Sequence, residues 1–361
     1  MHSNQSDIDL HAAFKGKRVF LTGHTGFKGA WLTLILNKLG AEVMGYALAP
    51  SSNEDLYPKI NGDSLCTSVI ADIRDRDRVK RELVSFQPDY VIHMAAQALV
   101  LDSYEYPVET YDTNVMGTIH VLEALRHLNK PCASVMVTTD KVYENMEVSD
   151  PYPETARFGG YDPYSNSKAC AELAISSYRN SFLNPDQYDK HLQAVSAARS
   201  GNVIGGGDWS NNRLVPDIAR ALIANEPVEI RNPHAVRPWQ HVLDPLNGYL
   251  TLAAKLHEEP KHFATGYNFG PEPNDERTVL DMVELAIENW GEGSFQTPEM
   301  RNQPHEAGLL KLAIDKAKNE LNWQPRFTSA EAVQWTVNWY RDGRNSALEY
   351  TSKQIEAFFG L

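Results

Sequence analysis

Short apolar runs alternate with longer stretches of helical period through the first half of the chain. The apolar runs predict buried strands at residues 18–21, 42–48, 68–73, 89–95, 133–139 and 193–200. Strands that alternate with helices in this rhythm form a parallel sheet with right-handed crossovers. The predicted fold class is therefore α/β, a Rossmann-type doubly wound parallel sheet whose ligands bind beyond the carboxyl ends of the strands.

The stretches of helical period complete the set of predicted elements. They predict helices at residues 74–84, 111–128, 164–178 and 213–225, a short strand at 228–231, and a helix that follows residues 237–244 and runs through 256. Beyond residue 202 the elements become shorter and prolines more frequent. We predict a NAD-binding Rossmann domain at residues 14–202, to which residues 238–268 return, and a smaller, interleaved substrate-binding domain made of residues 203–237 and 269–357.

The charge of the chain excludes two classes of partner. Its 361 residues include 34 basic and 47 acidic side chains, which gives a formal net charge of −13. A chain this acidic is not expected to bind nucleic acid or an anionic membrane surface. An anionic small-molecule substrate must then be held by locally placed arginines.

Cysteine usage and the start of the chain indicate a soluble, cytoplasmic protein. Cys66, Cys132 and Cys170 have no C-x-x-C spacing, which is typical of buried thiols in a reducing compartment. The first 13 residues are polar and lack the apolar core of a signal peptide. The apolar run at residues 30–36 is too short to span a bilayer. No metal site is predicted.

Three glycines follow the first strand at the spacing G-x-x-G-x-x-G, and a helical pattern begins directly after them. Gly23 permits a tight turn, Gly26 lets the backbone approach a pyrophosphate, and Gly29 packs the helix against the strand. The phosphates then contact free N–H groups at the helix N-terminus. We predict a dinucleotide site at the strand ends, with these candidate residues: Gly23, Thr25, Gly26, Phe27, Gly29, Asp72, Ile73, Ala95, Ala96, Gln97, Asn114, Thr138, Tyr164 and Lys168.

The second strand departs from the usual NAD pattern. Residues 46–49 include no carboxylate for the adenosine ribose, and no arginine for a 2′-phosphate. The pattern leaves NAD and NADP open and predicts a loosely held cofactor. Asp72 fits either the adenine edge or a cap on the helix that follows, and Asn114 fits a structural tie between strands.

Tyr164 and Lys168 lie four residues apart on one face of a predicted helix. A free phenol has a pKa near ~10, so it is a poor base at neutral pH. A neighbouring ammonium and a positive nicotinamide ring would lower that pKa, and Thr139 can hydrogen-bond to the same substrate oxygen. The alternative is that Tyr164 packs in the core and Lys168 is a solvated helix residue.

The glycine turn, Thr139 and the Tyr164-x-x-x-Lys168 pair resemble the extended short-chain dehydrogenase/reductase family, over essentially the whole chain. The family match also runs through Arg199-Ser-Gly-Asn. The segments Gly23-His-Thr-Gly-Phe-Lys-Gly, Thr139-Asp-Lys-Val-Tyr and Pro304-His-Glu-Ala are similar to its nucleotide-sugar 4,6-dehydratase branch, in the form that acts on cytidine-linked sugars. In the thymidine-linked form a glutamate stands where this chain has Lys141.

The resemblance implies NAD as the cofactor, CDP-glucose as the substrate, a 4-keto-6-deoxy sugar as the product, a role in O-antigen-type deoxysugar biosynthesis, and a homodimer joined through residues 108–128 and 163–178. The implied catalytic residues are Thr139, Asp140, Lys141, Tyr164 and Lys168. Asp140 would protonate the departing C6 hydroxyl, while Lys141 would either assist removal of the C5 proton or stabilise the enolate. Candidates for substrate binding are Asn202, Arg213, Arg237, Arg301 and His305.

Two other functions remain open at this point. A nucleotide-sugar 4-epimerase would share the tyrosine, the lysine and NAD but would need no acid for C6. A non-catalytic NAD(P)-binding sensor would typically lack the tyrosine or the lysine. Asp140 and Lys141 could also form a surface ion pair without a catalytic role.

Overall fold

The computed structural model describes residues 8–275, 277–298 and 309–361. Its strands are β1 Arg18–Thr22, β2 Glu42–Ala47, β3 Thr67–Ile70, β4 Tyr90–His93, β5 Cys132–Val137, β6 Gln193–Ser200, β7 Val203–Ile204, β8 Val228–Glu229, β9 Val236–Arg237, β10 Gln240–His241, β11 Gly266–Phe269, β12 Arg277–Thr278 and β13 Phe295–Gln296.

The α-helices lie between and after these strands. They are α1 Leu10–Phe14, α2 Phe27–Lys38, α3 Leu56–Lys59, α4 Arg76–Phe86, α5 Val100–Glu105, α6 Pro107–Tyr111, α7 Gly117–Leu125, α8 Pro163–Ser181, α9 Tyr188–His191, α10 Leu214–Ala224, α11 Leu243–Glu258, α12 Val279–Trp290, α13 Ser329–Asn338 and α14 Ala347–Phe359. Within these ranges no helix is both long and apolar enough to cross a membrane.

The main sheet has seven parallel strands in the order β11-β6-β5-β4-β1-β2-β3. Leu21 on β1 stands opposite Gly45 on β2 and Ile92 on β4, which fixes the register at the centre of the sheet. Strands β4, β5 and β6 are buried along their whole length. Because helices cover both faces, these strands read in the sequence as continuous apolar runs. The predicted Rossmann-type fold is confirmed.

Two hydrophobic clusters stabilise the sheet, one on each face. The first contains Trp31 and Leu34 of α2 together with Tyr249 of α11. The second contains Leu83 of α4 and Val121 of α7. All five side chains are almost completely buried, so the hydrophobic effect on both faces fixes the sheet that presents the site.

Several predicted boundaries were wrong. The third strand ends at Ile70, because residues 71–75 form a turn. The helix predicted at 111–128 starts at Pro107, which suits the first position of a helix, passes through a π-helical segment at Asp112–Met116 and ends at Leu125. Residues 236–241 form two short strands before α11, because they pair with β12 and β7.

The chain beyond β6 contributes to two parts of the molecule. Helix α11 packs on the main sheet, and β11 forms its edge beside β6. Helices α10, α12 and α13 pack on one another, next to the pair formed by β8 and β13. The division into a NAD-binding and a substrate-binding domain stays a prediction.

Candidate active site

The turn between β1 and α2 has a shape that phosphate groups require. Gly23 has a φ of +78°, and a Cβ atom there would lie 2.9 Å from the backbone nitrogen of Ala95. A Cβ atom on Gly29 would overlap the carbonyl oxygen of Gly23. Gly26 is the N-cap of α2 and provides no side-chain cap, so the first N–H groups of the helix remain available to an anion.

A chain of buried hydrogen bonds places the loop after β4 next to this turn. Thr22 Oγ1 lies 2.8 Å from His93 Nδ1 and accepts from the backbone N–H of Ala95 at 3.0 Å. Asn114 accepts from the N–H of Gln97 at 2.9 Å and donates to its carbonyl oxygen and to Ser167 Oγ. Asn114 is fully buried, and its amide joins the loop after β4 to helix α8, so the predicted tie between strands is wrong. A direct contact between Asn114 and a cofactor stays a prediction.

Asp72 lies in the turn after β3 and pairs with Arg74. Its carboxylate accepts from the Arg74 backbone N–H at 2.9 Å and from the guanidinium at 2.6 Å. The hydrogen bond from Arg74 lowers the pKa of Asp72, against the opposing effect of burial. The alternative that Asp72 caps the next helix is wrong, because the Asp75 side chain caps α4 by accepting from the Arg78 N–H.

The remaining cofactor candidates lie around the same strand ends. The Thr25 hydroxyl donates to the carbonyl oxygen of Leu48 at 2.8 Å. Ile73 is buried, and its carbonyl oxygen lies 3.1 Å from His120 Nδ1. Ala96 follows Ala95 at the end of β4, and Phe27 and Thr138 line a large cavity beside this edge. Their contacts with a cofactor stay predictions.

Tyr164 and Lys168 are both buried on α8, at the edge of the cavity. The helix is capped by Asp162, and the Tyr164 backbone N–H donates to Ser103 Oγ at 3.1 Å. Burial raises the pKa of Tyr164 to about 12, although a hydrogen bond with Thr139 opposes the rise. In the polypeptide alone, desolvation of the phenolate outweighs its favourable neighbours. The predicted lowering of the phenol pKa, which includes the effect of a positive nicotinamide ring, stays a prediction.

Lys168 keeps part of its charge near neutral pH. Burial lowers its pKa to about 8, while the carboxylate of Glu172 acts in the opposite direction. Lys168 Nζ donates to the carbonyl oxygen of Val137 at 3.4 Å, at the end of β5. The alternative of a solvated helix residue is wrong for Lys168.

Thr139, Asp140 and Lys141 form a short turn directly after β5. Thr139 Oγ1 donates to Asp140 Oδ1 at 2.8 Å. Lys141 Nζ lies 3.7 Å from the same oxygen and donates to Asn202 Oδ1 at 3.2 Å. Asp140 is fully buried, and its Oδ2 atom has no hydrogen-bond partner among the described residues. This burial excludes the alternative of a surface ion pair.

The turn and the phenol face one cavity of about 700 Å³. This volume suits a ligand of nucleotide-sugar size. Asn202, Arg213 and Arg237 also line it. Arg213 is held by Asp208 at 3.1 Å and by the carbonyl oxygen of Ala98 at 3.4 Å, whereas Arg237 donates to the carbonyl oxygen of Val236. The predicted residues Arg301 and His305 lie outside the described residues.

The sequence-based prediction missed three residues of this cluster. Lys28 lines the cavity, and burial, with Lys168 nearby, lowers its pKa to about 7. Its Nζ donates to the Tyr249 hydroxyl at 3.4 Å, which is 2.6 Å from Ser200 Oγ. The sequence does contain a signal for Lys28, because this lysine lies inside the glycine turn, between Gly26 and Gly29. Tyr249 reads as a core residue of α11, and no pattern in the sequence marks it.

Comparison with known proteins places this chain among nucleotide-sugar dehydratases. The model of the family described as GDP-mannose 4,6 dehydratase matches residues 20–336. The CDP-glucose 4,6-dehydratase of Salmonella typhimurium is 48% identical over 328 residues, which are 91% of each chain. A dTDP-glucose 4,6-dehydratase of Xanthomonas campestris is 27% identical over 342 residues, covering 89% of this chain and 92% of the relative.

The fold agrees with these relationships. A dTDP-glucose 4,6-dehydratase from Streptomyces venezuelae, solved with NAD bound, superposes with a TM-score of 0.77 at 23% identity, over 91% of this chain and 98% of the other. The family model covers most of the chain, and the Salmonella relative is similar along nearly its whole length. The protein therefore belongs to the GDP-mannose 4,6 dehydratase family, within the extended short-chain dehydrogenases/reductases that its motifs indicated.

Proposed function

We propose that this protein is a CDP-glucose 4,6-dehydratase, a hydro-lyase that uses NAD in an internal redox cycle. It converts CDP-D-glucose into CDP-4-keto-6-deoxy-D-glucose and water. Identity of 48% to the Salmonella enzyme of that name supports the substrate. The observation that carries the reaction type is Asp140, a buried carboxyl group in the cavity with one oxygen that has no partner among the residues that the structure describes.

Room for a substrate hydroxyl at Asp140 comes from the following strand. A Cβ atom on Gly201 would approach Asp140 Oδ2 to 3.2 Å and would collide with Pro238. The absence of a side chain therefore keeps space beside the free carboxyl oxygen. A 4-epimerase needs no acid at C6, so this feature favours dehydration.

The glycine turn fits a dinucleotide, because Gly26 leaves the first N–H groups of α2 without a side-chain cap, and because Gly23 and Gly29 permit a turn in which Cβ atoms would collide with neighbouring backbone. Gly26 and the N-terminus of α2 would hold the pyrophosphate, and Asp72 would lie on the adenosine side. NAD is proposed because relatives of this fold were solved with it, including the Streptomyces enzyme. Bound NAD⁺ supplies the acceptor for the C4 hydride and later returns that hydride to C6.

Tyr164 starts the reaction by taking the proton of the C4 hydroxyl. The hydrogen bond with Thr139 stabilises the phenolate that this step requires, and the Lys168 ammonium, one turn further along α8, would add to this stabilisation. Arg213 acts in the same direction, since its charge also opposes the rise in the phenol pKa. Formation of the C4 ketone then makes the proton on C5 acidic.

Asp140 and Lys141 act in the elimination that follows. Asp140 donates a proton to the C6 hydroxyl, so that it leaves as water. Lys141 donates to Asn202 at 3.2 Å, and its other N–H groups can donate to the enolate oxygen. We therefore place Lys141 as the group that stabilises the enolate, while a water molecule beside it takes the C5 proton and returns a proton to C5 when the hydride reaches C6. Arg213 and Arg237 would hold the pyrophosphate of the substrate.

We propose that the protein is a cytoplasmic homodimer. Its product would enter deoxysugar biosynthesis of the O-antigen type. Cys66, Cys132 and Cys170 are free thiols, which suits a reducing compartment. Val108 on α6 and Leu173 on α8 have exposed fractions of 75% and 57%. Exposed apolar side chains on these two helices support the predicted dimer face.

The product identifies the reaction. Incubation with CDP-glucose and NAD⁺ should form a 4-keto-6-deoxy sugar nucleotide, detected by its absorbance in base. Tyr164→Phe should reduce turnover by roughly 10²–10⁴-fold, because the proton acceptor is lost, and should leave cofactor binding measured by calorimetry largely unchanged. A C4 epimer as the sole product would reject dehydration, and full activity of Tyr164→Phe would reject the assigned base.

A further inference from the structure

A buried ion pair lies behind the catalytic turn and takes no part in the chemistry above. Arg199 on β6 binds Glu172 on α8 through two parallel bonds, Nε to Oε1 at 2.8 Å and Nη2 to Oε2 at 3.0 Å. Their side chains are only 6% and 3% exposed. Such a pair often contributes no more stability than apolar side chains of the same shape, so stability alone explains it poorly.

The pair forms further hydrogen bonds at both ends of the catalytic turn, which is the segment 139–142. Thr138, one residue before the turn, donates to Glu172 Oε1 at 2.6 Å. Tyr143, which directly follows Val142 at the end of the turn, accepts from Arg199 Nη1 at 2.8 Å. The residues that flank the segment 139–142 are therefore fixed by one guanidinium–carboxylate unit.

Further bonds tie this unit to the sheet edge. The Tyr143 hydroxyl donates to Asn268 Oδ1 at 2.7 Å, and Asn268 lies on β11. Arg199 Nη1 also donates to the carbonyl oxygen of Glu154 at 3.0 Å. Each polar group of the unit thus has a partner that resists displacement.

Glu172 also connects the unit to the catalytic helix. Tyr164, Lys168 and Glu172 are spaced four residues apart on α8, so their side chains share one face. The Glu172 carboxylate keeps the pKa of Lys168 higher than burial alone would. Lys28 from α2 and His93 from β4 also face Lys168, and burial lowers the pKa of His93 to about 3, which leaves it neutral.

We infer that Arg199 and Glu172 are positioning residues that hold the Thr139–Asp140–Lys141 turn at a fixed distance from the Tyr164–Lys168 helix. The inference rests on the proposed function, because it assigns this alignment to the elimination step. Displacement of a catalytic group by about 1 Å can cost ~10²-fold in rate. Loosening the unit should therefore slow elimination more than the first hydride transfer.

Two substitutions separate this role from general stability. Tyr143→Phe removes two hydrogen bonds at the end of the turn, the one from Arg199 and the one to Asn268, and leaves every charge in place. We expect it to slow elimination by ~10-fold or more, so that reduced cofactor accumulates in a single turnover with CDP-glucose, while the pH profile of the first hydride transfer stays unchanged. Glu172→Gln should slow elimination as well, and it should also move the alkaline limb of that profile to lower pH, because Lys168 loses its carboxylate neighbour.

A third measurement does not depend on the substrate. Hydrogen–deuterium exchange should rise in the peptide covering residues 138–143 of both variants. Asp89→Asn is the matched control, since it breaks the ion pair between Asp89 and Lys130, 2.8 Å long, at the opposite end of the sheet. The control should leave the hydrogen–deuterium exchange of residues 138–143 unchanged. It should also leave unchanged the ratio between the rates of the first hydride transfer and the elimination.

The outcomes decide the inference and the proposed function separately. The positioning role would be overturned if Tyr143→Phe slowed the first hydride transfer and the elimination equally. It would also be overturned if hydrogen–deuterium exchange rose over the whole sheet. If the unmodified protein does not turn over CDP-glucose, the proposed function fails, and the exchange measurement still decides whether the ion pair holds the turn. Should Glu172→Gln fail to fold, Tyr143→Phe carries both tests, because it deletes only one hydroxyl group.

Discussion

Asp140 and Tyr164 are buried acids in one cavity, and their partners give them different tasks. Tyr164 hydrogen-bonds with Thr139, and burial holds its pKa at about 12, so proton transfer to it needs positive charge nearby. Asp140 accepts from Thr139 through one oxygen, and its other oxygen has no partner within residues 8–275, 277–298 and 309–361. Under the proposed function, a proton acceptor and a proton donor would thus lie on either side of one threonine.

Lys141 provides the test of the second half-reaction. In Lys141→Ala, CDP-glucose should still reduce bound NAD⁺, because Tyr164 and Lys168 are untouched. Elimination should stall by roughly 10²–10⁴-fold, and the absorbance of the reduced cofactor should accumulate in a single turnover. Lys261→Ala is the control, since Lys261 lies on the surface and pairs only with Asp189 in the part of the chain that the structure describes.

Solvent exchange at C5 distinguishes Lys141 from its neighbour. Asp140→Asn should still exchange C5 hydrogen with deuterated water, because the enolate can form although the C6 hydroxyl cannot leave. Lys141→Ala should show no exchange, since the enolate loses its stabilising donor. Normal turnover by Lys141→Ala would mean that this lysine is not catalytic.

Sequence motifs located most of the described site, but they did not give its electrostatics. The spacing of Tyr164 and Lys168 and their position after a glycine turn were visible in the chain. The raised pKa of Tyr164 was not, because it depends on how completely the folded protein removes water from the phenol. Tyr249 reaches the cluster from a helix more than eighty residues away along the chain, and such contacts leave no local pattern.

At the level of elements, the β1–α2 turn separates two effects that glycines can have. Gly29→Ala should destabilise the fold, because its Cβ would overlap a backbone oxygen. Gly26 has a φ of −76° and a Cβ there would meet Gly23 O at an ordinary 3.5 Å. Gly26→Ala should therefore keep the melting temperature and lose affinity for NAD⁺. Calorimetry measures both quantities, and equal melting temperatures for the two variants would contradict this assignment.

The start of α11 carries a carboxyl group that makes stability depend on pH. Asp244 accepts from the Arg326 N–H at 2.8 Å, yet burial raises its pKa from 3.8 to about 7. Because the folded-state pKa is the higher one, its contribution to stability is complete below about pH 4 and is lost as pH rises to about 7. Each unit of pKa corresponds to about 1.4 kcal/mol.

The difference in unfolding free energy between the wild type and Asp244→Asn should therefore change by a few kcal/mol between pH 4 and pH 7, in favour of the variant at pH 7. Urea unfolding at several pH values measures it. Asp281→Asn is the opposite control, because hydrogen bonds from Thr278 lower the pKa of Asp281. A pH-independent difference for Asp244→Asn would contradict the raised pKa.

Element boundaries show where local patterns were insufficient. The sixth strand has the predicted bounds, Gln193–Ser200, because it is buried throughout and its apolar run ends where the strand ends. The helix at Pro107 was predicted to start later, since its first turn is largely exposed and lacks an apolar period. Tertiary pairing decided residues 236–241, which form strands only because distant segments lie beside them.

Across the whole molecule, the cavity lies where the carboxyl edge of the sheet meets the chain beyond β6. Thr139 and Tyr164 contribute from one side, and Arg213, Arg231 and Arg237 from the other. Arg213 and Arg231 pair with Asp208 and Asp217, so these carboxylates partly offset the positive charge that the arginines bring to a chain with a net charge of −13. Such local charge is what an anionic sugar nucleotide would need in an acidic protein.

The face formed by α6, the π-helical segment and α8 gives the last prediction. Val108 and Leu173 are 75% and 57% exposed, and Met116 is 41% exposed. A stable dimer buries about 800 Å² on each partner, and two helices from each subunit would supply such an area. The double substitution Val108→Glu and Leu173→Glu should therefore halve the mass measured by light scattering at micromolar concentration, with the far-UV circular dichroism retained.

Leu348→Glu, on the C-terminal helix and 37% exposed, is the control and should leave the mass unchanged. A wild-type protein that is already monomeric at this concentration would contradict the dimer, and a double variant that remains dimeric would place the interface elsewhere.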